Sequence, residues 1–161
     1  MQYISVEHQR AISGRYKTAV IIVFAHCVTV LIFIAVARFV QPAEVVPGSE
    51  RLMTYAPMAV IVLTLAVIVF RRVWLSQVIF GSAMRMGVNA VLNRLMQMTV
   101  ICSAISELVA IFGFAFYLLT GGYQYSLVLS VVSLLLLFYT AFPRRGEWDR
   151  AVVASANPKA T

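Results

Sequence analysis

Of the six carboxylates in this 161-residue sequence, one falls inside a long apolar run, and it is Glu107. It is the middle residue of the stretch from Leu95 to Thr120, about 18 Å along a helix from Leu95 at about 1.5 Å per residue. An ionised carboxylate at such depth is costly even on the milder insertion scales, so residues of this kind face protein or a water-filled path. Desolvation disfavours the charged form, which predicts a protonated acid suited to picking up and releasing one proton. A second reading makes it a buried acid, hydrogen-bonded to serine and backbone, that locks two helices together. Ser103, one helical turn back, and the adjacent Ser106 are candidate partners, and Ala104 and Ala110 keep that face small. His26, in another apolar run, is the other titratable candidate and reads as a hydrogen-bond donor within a bundle.

The remaining reactive side chains narrow the chemistry by exclusion. Cys27 and Cys102 both lie in apolar runs, with neither C-x-x-C nor metal-ligand spacing, and read as small buried hydrophobes. Haem held between two helices needs two intramembrane histidines, and His26 alone stands in a run. The sequence implies no cofactor, no metal and no covalent chemistry of its own.

The elements that must position Glu107 are set by composition. Apolar residues make up 61% of the chain and charged ones 12%, where soluble domains carry about 45–50% and about 25%. Four apolar runs stand out: Ala19 to Ala37, Leu52 to Phe70, Leu95 to Thr120 and Tyr125 to Phe142. Four spans of about 20 residues use about half the chain, which excludes a soluble catalytic domain. The expected fold is an all-α membrane protein with four transmembrane helices in one domain, at about 19–40, 52–75, 95–120 and 125–142. The first run is too long for a cleaved signal and reads as an uncleaved anchor. Pro42, Pro47 and Gly48 mark a loop before the second run, and Gly121-Gly122 predicts a tight hairpin between the last two.

The formal charge of +7 finds its partner in lipid headgroups rather than nucleic acid. Eleven basic residues, Arg10, Arg15, Lys17, Arg71, Arg72, Arg85, Arg94, Arg144, Arg145, Arg150 and Lys159, fall on one side of the spans, against Arg38 and Arg51 on the other. The positive-inside rule then places both termini and the middle connection in the cytoplasm. Tyr3, Trp74, Tyr123, Tyr125, Tyr139 and Trp148 lie near run ends, as an aromatic belt requires. The stretch 146–161 reads as a mobile tail with no fold of its own. The middle connection, Arg71 to Arg94, holds no proline and keeps enough apolar residues to stay helical. Arg71, Arg72, Arg85 and Arg94 form its basic face, which either docks a partner or anchors to anionic lipid. Ser126, Ser130 and Ser133 make a polar stripe on the fourth run, a pattern that more often serves packing than ion coordination.

The third run, from Arg94 through Glu107 to Gly113, resembles the acid-bearing helix of the proteolipid, or c, subunits of rotary ATPases. In that family a basic loop residue precedes the ion-carrying acid by about a dozen positions. A small-apolar-aromatic-glycine pattern follows the acid, matched here by Ala110-Ile111-Phe112-Gly113. The preceding Gly81-Ser82-Ala83-Met84-Arg85 is similar to the end of the family's inner helix. The resemblance implies that Glu107 carries a proton, supported by Ser103, Ser106, Ala110, Phe112 and Gly113, within a multisubunit complex of an energised membrane such as a bacterial inner membrane. It implies no catalytic centre in this chain, and partners that are further copies or other membrane subunits. The second run, with no glycine from Met58 to Phe70, favours a different class: a structural or scaffold four-helix subunit using Glu107 for interhelical hydrogen bonding. A small proton-coupled transporter is a third reading, although such four-helix exporters place their acid on the first helix.

Overall fold

The computed structural model describes residues 6–40, 50–80 and 87–156. Those residues form five α-helices and no strands: α1 (Val6–Phe39), α2 (Glu50–Phe80), α3 (Val88–Thr120), α4 (Tyr123–Leu136) and α5 (Arg145–Ala156), with a π-helical turn over Leu137–Ala141 after α4. Four helical stretches are long and apolar enough to cross a bilayer, beginning at Gln9, Pro57, Val88 and Tyr123. The chain is that of a multi-pass integral membrane protein.

Helix α3 is the hub. Its most apolar window is 44% buried inside the molecule, against 17% for those of α1 and α2. It packs on α1, α2, α4 and α5 alike. Its buried positions Leu92, Leu95, Thr99, Cys102, Ser106, Val109, Gly113, Phe116 and Thr120 alternate steps of three and four residues, one stripe of a helix. The outward faces of α1 and α2 carry exposed Phe24, Leu31, Ile61 and Leu65, the surface that lipid covers.

The hairpin between α3 and α4 is as tight as Gly121-Gly122 predicts. Gly121 adopts the left-handed conformation (φ 72°), and its N–H donates to Tyr117 O at 2.8 Å, closing the helix as a glycine can without a Cβ penalty. Below the turn the two helices approach closely. A Cβ on Gly113 would lie 2.8 Å from Leu129 Cβ, so the contact requires glycine. Farther down, Ser133 Oγ donates to Ser106 O at 2.7 Å, and Ser126 and Ser130 are buried in the same seam. Small side chains let the backbones meet where hydrophobic driving force between helices is absent.

Three expectations need correction. Helix α1 begins at Val6, well before the apolar run at Ala19, because Ile12 and Ala19 are both buried and extend the core stripe into the polar stretch. The segment from residue 146, expected as a mobile tail, is the helix α5 as far as Ala156. Its Trp148, Ala151, Val152 and Ser155, spaced as one helical face, are buried. Trp148, expected in an aromatic belt, instead lies inside, edge-on to Tyr16 with ring centroids 5.9 Å apart. Helix α5 thus closes the end of the bundle where α1 and α3 begin.

The turn that launches α5 has a local cause. In a continued α-helix Tyr139 O would accept from residue 143, which is Pro143 and has no N–H. The chain shifts to a π-type bond, Phe142 N–H to Leu137 O at 2.9 Å, and Phe142 becomes extended. Pro143 O in turn accepts from Tyr16 Oη at 3.2 Å.

Candidate functional site

Helices α1 and α3 run parallel, and one side chain from each meets at mid-span. His26 Nδ1 and Glu107 Oε2 are hydrogen-bonded, with 24% and 15% of the respective side chains exposed. His26 stands seven residues from Ala19 and from Phe33, on the heptad stripe that α1 turns to the bundle. One heptad beyond the pair, Phe33 stacks on Phe114 at 5.6 Å. The polar rung is therefore held in register by the aromatic rung next to it, and Tyr117 Oη donates to Val40 O near the far end of α1. At the opposite end Arg15 Nη1 donates to Asn89 O at 2.8 Å.

The residues expected to support Glu107 are distributed differently. Ser106 Oγ donates to Cys102 O at 2.7 Å and approaches Thr140 Oγ1 at 3.4 Å. Ser103 Oγ is buried and makes no hydrogen bond among the described residues. Ser103, Ser106, Ala110 and Gly113 are all buried, and Gly113 and Ser106 contact α4 directly. Phe112 is 53% exposed and turns outward. Neither serine bonds the acid. The partner of Glu107 is His26, 81 positions away in sequence, a pairing that the heptad position of His26 on α1 signals once the helices are known to run side by side.

The four arginines of the expected basic face also separate. Arg71 is buried on α2: it donates to the freed Tyr139 O and, through Nη2, to Glu147 Oε2 at 3.1 Å. It ties α2 to α5 and is no exposed docking charge. Arg72 is exposed, Arg94 half-buried, and Arg85 lies outside the described residues, as does Gly81-Ser82-Ala83-Met84. Helix α2 continues to Phe80 and α3 starts at Val88, so both flanks of the middle connection are helical.

Cys27 and Cys102 are free thiols on α1 and α3. Among the described residues no group of three or more His, Cys, Asp or Glu is placed to hold a metal. Neither a family model, nor a curated protein, nor a solved structure matches the chain.

Proposed function

We propose that the chain is a structural four-helix membrane subunit in which the His26–Glu107 pair locks α1 to the α3–α4 hairpin. The carrying observation is the pairing itself, because of its charge arithmetic. With one proton between them, imidazole and carboxyl sum to zero charge, whichever group holds it. Losing that proton leaves a net anion in the span, and gaining a second leaves a net cation. Both are costly at that depth. A pair neutral in sum, each group the other's hydrogen-bond partner across two helices, suits an interhelical lock better than a carrier. The serine seam between α3 and α4 and the helix α5 across the basic end serve the same purpose. In this reading the chain has no catalytic centre, needs no cofactor, and meets lipid together with further copies or other membrane subunits. The basic end faces the cytoplasm, from the distribution of arginine and lysine.

Proton carriage within a rotary ATPase-like complex is the second reading. It is favoured by the partial exposure of both side chains, which lets a cation on a partner subunit approach Glu107, compete with His26 for the carboxylate and release the proton to water.

Dicyclohexylcarbodiimide, which attacks protonated carboxyls, separates the two. A lock leaves Glu107, 15% exposed and covered by His26, weakly labelled in the wild type and strongly labelled in H26A, which uncovers it. Strong, pH-dependent labelling of the wild type, with E107Q folding normally, contradicts the lock and supports carriage.

A further inference from the structure

A second polar site lies at the basic end. A cavity of about 280 Å³ is lined by Ile68, Arg71, Arg72 and Leu75 of α2, by Tyr139 and Thr140 of the π-helical turn, and by Arg144. Three guanidiniums converge here, and one nearby carboxylate answers them. Glu147 is already held by Arg71 at 3.1 Å and lies 3.9 Å from Arg144. Arg72 makes no hydrogen bond or ion pair among the described residues, and Arg144 keeps 58% of its side chain exposed. The Arg71 side chain is 90% buried, and its Nε–H has no acceptor among the described residues. The site therefore holds more cationic donors than this chain satisfies.

The shape of the surroundings selects the anion. The cationic wall meets an apolar wall of Ile68 and Leu75, and the exposed ring of Tyr139 lies beside them. A soluble anion makes no use of such a wall; a phospholipid does, its phosphate among the arginines and its chains along the apolar faces of α2 and α4. Basic pockets between membrane helices hold anionic headgroups by this combination. Arginine suits the task because its planar fork pairs with phosphate oxygens two at a time.

We infer that the pocket between α2 and the π-helical turn binds the phosphate of an anionic phospholipid. The site does not depend on the role of the His26–Glu107 pair and stands if that reading fails. Arg71 holds the turn open and supplies charge from behind, while Arg72 and Arg144 grip the phosphate from the exposed side.

The test reconstitutes the full chain in nanodiscs of phosphatidylcholine with one quarter phosphatidylglycerol, then counts retained lipid by native mass spectrometry after detergent washing. The wild type is expected to keep one phosphatidylglycerol, and R72Q/R144Q to lose it about 30-fold more readily. R145Q/R150Q removes the same charge from the same end but outside the pocket, and is expected to retain the lipid. Equal loss from both double variants overturns the inference, since it shows diffuse attraction rather than a site. Equal retention of phosphatidylcholine overturns it too. Displacement of the lipid by millimolar inorganic phosphate overturns the lipid assignment in favour of a soluble anion. Both variants replace exposed side chains, and an unchanged elution profile confirms that each is folded.

Discussion

Among the described residues two carboxylates pair with basic side chains on other helices, and their partners differ for a reason. Glu147, near the polar end, pairs with Arg71, a permanent cation. Glu107, at mid-span, pairs with His26, which can give its proton away. Near the end of the bundle, water and headgroups lie close enough to share the cost of two full charges, and Arg71 spends further donors on the carbonyl that Pro143 leaves free. At mid-span that help is gone, and a pair that can relax to two neutral groups is the affordable one. Depth in the membrane thus selects the chemistry of the cation.

The comparison is broken most severely at the end pair. E147A leaves the Arg71 guanidinium buried without a carboxylate and is expected to lower unfolding free energy by about 3 kcal/mol, measured by titration with dodecyl sulfate in mixed micelles. R71M is expected to cost less, because Glu147 at the polar end can rehydrate while an orphaned guanidinium beneath α5 cannot. At mid-span E107A is expected to cost about 1–2 kcal/mol by the same titration, the upper range of interhelical hydrogen bonds in membranes. E107Q is expected to cost about 0.5 kcal/mol, since the amide still reaches the imidazole. The smallest effect belongs to S130A. That hydroxyl makes no hydrogen bond among the described residues, so a change within about 0.5 kcal/mol is expected, and a larger loss would make the serine seam more than a matter of size.

Much of this was legible in the residues. Glu107 announced itself by depth, the Gly121-Gly122 hairpin by its turn chemistry, and the packing role of Ser126, Ser130 and Ser133 by their spacing. His26 was visible as titratable, but its partner was not, since nothing in a single sequence says that α1 lies beside α3 with residue 26 level with residue 107. Helix α5 was missed because Arg144, Arg145, Gly146, Glu147, Asp149 and Arg150 make its composition look like a tail. The signal was present in Trp148, Ala151, Val152 and Ser155, at offsets of three, four and seven, which mark one face of an amphipathic helix. Arg71 is hidden for a similar reason: a run of basic residues reads as a docking or lipid-anchoring face until Pro143 is seen to free a carbonyl that one of them satisfies.

The central claim is that His26 and Glu107 act as one unit that locks α1 to α3. A double-mutant cycle of H26A, E107A and the double variant, run by dodecyl sulfate titration, tests it directly. The account predicts a coupling energy of about 1–2 kcal/mol. Additive single effects would contradict it.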